Sequence, residues 1–174
     1  MVAFDNTILS LLMFPDAVLQ QGGQTVEYAQ ERVLGLVKKL ELAHELIVVP
    51  APALAELLVT DGVDVQFVLT KLRGSAYLRI DSFDERAAVE LAMRLRRARQ
   101  VGNQRDGLSI TKNAMKFDRQ IVAIALVSGS RTLYSDDQGV AKFAAGCGLE
   151  VKHVSDLPVP ASQTGFQFDA DQGS

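Results

Sequence analysis

The sequence contains one cysteine, no tryptophan and few aromatic residues of any kind. A single cysteine cannot form an internal disulfide, and without a CxxC motif or a Cys/His ligand set a structural zinc site is excluded. No apolar run approaches the roughly 18 residues that a membrane-spanning helix needs, and no basic segment precedes the apolar stretch ILSLLMF, as a secretory signal would require. We therefore expect a cytoplasmic protein with no membrane association, in which Cys147 is a small buried residue on a helix.

Charge is also sparse, since 22% of the residues are charged and the formal net charge is −3. This balance excludes a uniformly basic nucleic-acid coat protein, although it leaves local patches open. A hydrophobic content of 48% over 174 residues is enough for one buried core. The only stretch that resembles a tail is the Gly-, Ser-, Gln- and Asp-rich end of the sequence. We predict one domain over residues 1–157, followed by a flexible polar tail over 158–174.

Short apolar runs alternate with segments of helical periodicity along the chain. The runs predict strands at VAF (2–4), IVVP (47–50), AYLRI (76–80), RTLYS (131–135) and LEVKHV (149–154). Helices are predicted after Asp5, over 25–46, from Pro52, over 63–72, from a Ser82/Glu85 capping box to about Val101, over 117–128 and over 139–147, with a flexible Gly-Gly loop at 22–23 and a long polar loop at 102–116. The alternation predicts an α/β fold, a three-layer α/β/α sandwich around a mostly parallel sheet of four to five strands.

Four acidic residues stand out: Asp5, Glu56 and Asp137 follow predicted strands, and Asp118 opens the apolar run FDRQIVAIAL. Because the carboxyl ends of parallel strands gather at one edge of a sheet, these acids can share a cleft, and converging carboxylates usually hold a metal. Simpler alternatives stay open for each. Asp5 and Asp118 could be helix N-caps, Glu56 could be a surface acid, and Asp136 with Asp137 could be ordinary turn residues.

In the order and spacing of these acids the chain resembles the PIN-domain nucleases, including VapC-type toxins, over roughly residues 1–155. The similar motifs are VAFDNTILSLL with Asp5, VPAPALAELL with Glu56, FDRQIVAIAL with Asp118, and the turn Ser135-Asp136-Asp137. Two features depart from the family pattern. Asn6 and Thr7 stand in swapped order, and Gly139 and Val140 stand where a further Asp and a Phe are common.

The resemblance implies Mg²⁺ or Mn²⁺ held by Asp5, Asp118 and Asp137, with Glu56 binding a second ion or orienting water. It makes Asp136 a further candidate ligand and gives supporting roles to Asn6, Thr7 and Ser135. Carboxylate oxygens are hard ligands that suit these ions, and a metal-bound water can attack a phosphodiester. Four carboxylates packed together would otherwise raise one another's pKa values.

Positive charge for a polyanionic substrate is concentrated between Arg94 and Arg119, where eight basic residues face two acidic ones. We expect phosphate contacts from Arg105, Lys112, Lys116 and Arg119, which lie in the loop or join the helix of Asp118. The basic residues from Arg94 to Arg99 could equally form a solvated helix face, with a Glu90–Arg94 pair at i, i+4. The two histidines, His44 and His153, are expected to be structural or surface groups.

The leading prediction is a metal-dependent endoribonuclease that hydrolyses RNA phosphodiester bonds. The resemblance suggests the toxin of a toxin–antitoxin pair, with an antitoxin protein as a partner, and a homodimer formed through the helices around 26–43 and 63–72. One alternative is a catalytically silent PIN-like module that binds RNA or acts as a scaffold. Another is a Rossmann-type nucleotide-binding protein, which the missing G-x-G-x-x-G or P-loop motif disfavours.

Overall fold

The computed structural model of the protein describes residues 1–100 and 114–160. Within these ranges a five-stranded parallel sheet is flanked by helices, as predicted. The sheet strands are β1 (Val2–Phe4), β4 (Ile47–Pro50), β5 (Leu78–Asp81), β6 (Thr132–Tyr134) and β7 (Glu150–Lys152). A separate hairpin contains β2 (Gln20–Gln21) and β3 (Gln24–Thr25). The helices are α1 (Asn6–Met13), α2 (Ala29–Leu42), α3 (Ala51–Leu58), α4 (Val65–Gly74), α5 (Glu85–Gln100), α6 (Ala114–Val127) and α7 (Gln138–Ala145).

The strand order β5-β4-β1-β6-β7 puts β1 in the middle of the sheet. Val2 pairs with Ile47 on one side and with Thr132 on the other. After β1 the chain proceeds to β4 and β5, and it then crosses back to β6 and β7. The order therefore reverses between β1 and β6, and in open α/β sheets the crevice outside such a reversal is where ligands bind.

Helices cover both faces of the sheet. Since parallel crossovers are right-handed, connections that run in opposite directions place their helices on opposite faces. The contacts agree, because α1 packs with α2 and α3, whereas α6 packs mainly with α5 and α7 and makes a smaller contact with α3. Fully buried side chains fill both interfaces, among them Phe4, Ile8 and Leu9 on the α1 side and Ile121 and Ile124 on α6. The result is the three-layer sandwich that the sequence predicted.

Helix α2 is shorter than predicted because the segment before it is not helical. The Gly-Gly loop closes the β2–β3 hairpin, with φ of 60° at Gly22 and 82° at Gly23. Positive φ at both central residues is the condition for a type I′ hairpin turn. Tyr28, directly before α2, also has a positive φ of 56°, so the helix cannot extend back to residue 25.

Two other helix starts differ from prediction. Helix α6 begins at Ala114, which places Lys116 on the helix instead of in the polar loop. Before α5, the Asp84 carboxylate accepts a hydrogen bond from the Ala87 amide at 3.0 Å, so Asp84 takes the capping position that the sequence assigned to Ser82.

Cys147 lies just past α7 and is half-buried, so its placement on the helix was wrong. The remaining boundaries shift by only a few residues.

Among the residues described, no helix is long and apolar enough to cross a membrane. Residues 101–113 and 161–174 lie outside the described ranges, so the tail remains a prediction.

Candidate active site

Asp5 directly follows β1 and caps α1. Its Oδ1 accepts hydrogen bonds from the amides of Thr7 at 2.9 Å and Ile8 at 3.3 Å, so the N-cap alternative is confirmed. The side chain is only 3% exposed. Burial raises its pKa to about 7, the hydrogen bonds from Ser135 and Ile8 oppose that rise, and the charges of Asp136 and Asp137 add to it. A capping role and a perturbed carboxylate thus coexist in one residue.

Ser135 connects Asp5 to the next acid. It is fully buried, its hydroxyl donates to Asp5 Oδ2, and the same oxygen accepts the amide of Asp137 at 3.1 Å. The Ser135 amide donates to the carbonyl of Lys152 at 3.0 Å, which ties the turn to β7. Ser135 therefore sets the distance between the end of β1 and the start of α7.

Asp137 caps α7, with Oδ1 accepting the Val140 amide at 2.9 Å. Its charge acts on the other three acids of the predicted set. Burial raises the pKa of Glu56, which lies within α3, and Asp137 raises it further. Asp118 is 8% exposed, and burial, Asp137 and Glu56, in that order, raise its pKa to about 6. The structure thus brings the four predicted acids into one electrostatic group.

Asp118 is the fifth residue of α6, so the alternative that it is an N-cap is wrong. Helix α6 contacts α3, the helix that carries Glu56, and the charge of Glu56 acts on Asp118. Neither carboxylate could be placed there by local sequence alone, because the α3–α6 contact joins segments far apart in the chain.

Asp136 is oriented differently from its neighbour. Its Oδ2 accepts the Val154 amide at 3.2 Å, and its Oδ1 lies 3.7 Å from Nδ1 of His153 without forming a hydrogen bond. Burial raises the pKa of Asp136, while the Val154 amide and His153 lower it. Asp136 anchors the turn to the segment after β7, and its role as a ligand remains a prediction.

The supporting residues of α1 are bound locally. Asn6 accepts a hydrogen bond from the Ser10 hydroxyl at 3.3 Å within the helix, and Thr7 contributes its amide to Asp5. His44 has a different partner, since its Nδ1 lies 3.1 Å from the Tyr77 hydroxyl. The Val154 amide was not identified from the sequence as a partner of Asp136, because a backbone N–H donor cannot be recognised from the type of side chain.

The donor set suits a hard divalent cation, because it consists of carboxylate oxygens. In the described ranges, no three Asp, Glu, His or Cys side chains already converge as a metal-ligand group. Asp137 is exposed and Glu56 is half-buried, so both side chains have room to turn toward an ion. Mg²⁺ or Mn²⁺ would relieve the repulsion between the acids, which adds to burial in raising the pKa values of Asp5, Glu56 and Asp118. The residues therefore fit such an ion by their chemistry and charge.

The predicted phosphate contacts divide into two groups. Lys116 and Arg119 lie on α6 near Asp118; Lys116 is exposed, and the Arg119 guanidinium is 5.6 Å from the centre of the Phe143 ring. Arg105 and Lys112 lie outside the described residues. Arg94 pairs with Glu90 at 2.7 Å and donates to the Cys147 carbonyl at 3.0 Å. The Glu90–Arg94 pair, offered as the alternative to a phosphate contact, is therefore confirmed.

Comparison with known protein families found no family model that matches the chain. No curated protein matches it in sequence either. The parallel sheet with flanking helices is of the Rossmann-like or PIN-like kind.

Proposed function

We propose that the protein is a PIN-type nuclease that uses Mg²⁺ or Mn²⁺ to hydrolyse RNA phosphodiester bonds. The observation that carries the proposal is the electrostatic coupling of Asp5, Glu56, Asp118 and Asp137 beside the reversal of strand order. Keeping several carboxylates close together and partly buried is costly. Perturbed pKa values of this kind concentrate at functional sites.

The resemblance to PIN-domain nucleases suggests a role for each acid. Asp5, Asp118 and Asp137 would hold the cation, and Glu56 would bind a second ion or orient the attacking water. When bound, the cation would lower the pKa of a coordinated water and neutralise charge on the phosphate. The chain itself supplies rigidity, since Asp5 is held by two amides and one hydroxyl.

Positive charge on α6 supports a polyanionic substrate. Lys116 and Arg119 precede and follow Asp118 on the same helix, and they would offset the repulsion between the acids and a phosphate backbone. The resemblance to PIN-domain nucleases favours RNA over DNA, a cytoplasmic setting, and the toxin of a toxin–antitoxin pair with an antitoxin partner.

Exposed apolar side chains on α2 and α4 support a homodimer. Leu34 and Leu42 on α2 are 48% and 75% exposed, and Phe67 on α4 is 44% exposed. A homodimer formed through these helices would remove such side chains from water.

One observation favours the silent RNA-binding or scaffold module as a second candidate. Asp5 and Asp137 both cap helices, so a structural role explains part of their presence. This module would bind RNA without cutting it.

The deciding experiment incubates the purified protein with end-labelled single-stranded RNA in Mg²⁺, Mn²⁺ or EDTA. We expect cleavage with either metal and none with EDTA. Asp5→Asn and Asp118→Asn should each lower the rate by about a hundredfold or more, the scale of a lost electrostatic contact to the transition state.

Asp64→Asn is the matched control. Asp64 caps α4 and accepts the amides two and three residues on, at 2.9 and 3.1 Å, just as Asp5 does, but it lies outside the acidic group. The Asp64 variant should cleave normally. Cleavage that persists after complete metal removal, or near-normal rates in both Asn variants, would refute the proposal. Binding without cleavage would support the silent module.

A further inference from the structure

A cleft of about 670 Å³ lies between helix α2 and strands β6 and β7. This volume falls in the range of small-molecule sites, about 300–1,000 Å³. One wall is fixed by Arg32, whose guanidinium donates to the carbonyl of Ser155 at 3.2 Å and to that of Leu157. The cleft is therefore bounded by a braced segment of backbone.

Tyr134 contributes an unsatisfied polar group to this cleft. The residue is only 7% exposed, and its ring packs edge to face on Phe4, with centroids 5.7 Å apart. Among the described residues, no partner forms a hydrogen bond with its hydroxyl. Tyr134 lines the cleft, and its hydroxyl is open to it, since this oxygen is not one of the enclosed, unpaired side-chain atoms of the described residues. A ligand in the cleft could supply that partner.

Lys39 contributes a cation to the cleft from α2. It is exposed and forms no ion pair with any residue in the described ranges. The other lining charges have partners of their own. Arg32 donates to two backbone carbonyls, Lys152 lies 3.5 Å from Glu150, and Asp156 accepts the His153 amide at 2.9 Å. Between the polar groups, the lining includes Leu36, Val151, Leu157 and Pro158. The cleft thus combines an apolar surface with one unpaired cation and one unpaired donor.

We propose that this cleft binds a small aromatic anion, a planar ring bearing a carboxylate or phosphate, with its ring against the apolar lining, its charge at Lys39 and an acceptor atom at the Tyr134 hydroxyl. A carboxylate and a phosphate both present anionic oxygens that accept charge-assisted hydrogen bonds from a lysine ammonium. The site is separate from the group of four acids, and it goes beyond the proposed nuclease activity.

Isothermal titration calorimetry on the full chain tests the proposal with four probes. Two probes, 4-nitrobenzoate and 4-nitrophenyl phosphate, carry an anionic group at one end of an aromatic ring and a nitro group, whose oxygens accept hydrogen bonds, at the other end. Nitrobenzene and inorganic phosphate are the corresponding half-ligands. At least one whole probe should bind with a Kd below about 1 mM, which is within reach of a ligand of this size. Comparing the two anions shows which head group is preferred.

Variants locate the binding. Lys39→Ala should weaken it about fivefold, whereas the exposed neighbour Lys38, which does not line the cleft, should tolerate Ala without effect. Tyr134→Phe should also weaken binding about fivefold, the typical effect of losing one hydrogen bond. The proposal is overturned if neither whole probe gives saturable heat, if the half-ligands bind equally well, or if the Lys39 and Tyr134 variants bind like the unmodified protein. The readout is heat, so its outcome does not depend on RNA cleavage.

Discussion

Replacing Asp5 by Asn should make the protein more stable above neutral pH while abolishing the proposed activity. Asn can still accept the amides of Thr7 and Ile8 as an N-cap, and its amide can donate to the Ser135 oxygen. The substitution therefore keeps the size of the side chain and most of its hydrogen bonds. What it removes is a negative charge in a buried position.

The size of the effect follows from the shift in pKa. Burial raises the pKa of Asp5 from 3.8 to about 7. At about 1.4 kcal/mol for each pKa unit, the ionised form costs the folded state about 4 kcal/mol. Because the folded protein holds this proton more tightly than the unfolded chain, the stabilisation is complete below pH 3.8 and is lost as the pH rises through 7.

Urea unfolding followed by circular dichroism, in EDTA from pH 4 to pH 8, measures this loss. Asp118, Glu56 and Asp136 also have raised pKa values, so both proteins should lose stability as the pH rises. The difference between them isolates Asp5. It should grow with pH toward about 4 kcal/mol in favour of Asp5→Asn. Parallel curves for the two proteins would show that burial does not perturb Asp5.

Three further predictions concern the surroundings of this site. Ser135→Ala should lower the free energy of unfolding in urea by about 1–3 kcal/mol, because Asp5 Oδ2 and the Asp137 amide both lose the Ser135 hydroxyl as a partner. Ser130→Ala is the control, since it removes a buried hydroxyl that has no partner. An equal effect of the two substitutions would contradict a stabilising role for the Ser135 hydrogen bonds. Lys116→Ala should weaken RNA binding and flatten its log–log salt dependence by about one unit; an unchanged slope would make Lys116 a solvated surface residue. Light scattering should give about twice the chain mass of 18.9 kDa, and the mass of one chain would contradict the dimer.

The sheet could be predicted because its signals are local. IVVP is apolar throughout and becomes a fully buried strand, as a strand covered on both faces should be. The β2–β3 hairpin was missed because its four strand positions are three Gln and one Thr, without the alternating apolar residues that mark a strand.

The residues of the candidate site could be predicted from the sequence, but the hydrogen bonds that connect them could not. Asp5, Glu56 and Asp137 could be named because each follows a strand or lies in the helix after one, and Asp118 because it lies near the start of an apolar helix. The bond between Ser135 and Asp5 spans 130 residues, so it depends on β1 and β6 being neighbours. The orientation of Asp136 toward Val154 depends likewise on where the chain passes after β7. Such contacts are set by tertiary packing, which single-sequence patterns do not encode.

The central position of β1 has a consequence for protein synthesis. This strand is made first, yet its partners begin only at Ile47 and Thr132, so one of its edges stays unpaired while more than a hundred further residues are added. Pairings of such long range form late in folding. During that time Asp5 has no Ser135 to bind, and Asp137 does not yet exist. Any chemistry that needs both acids is therefore withheld from the growing chain until Asp137 has been made, so the proposed nuclease could not act beside its own messenger before that point.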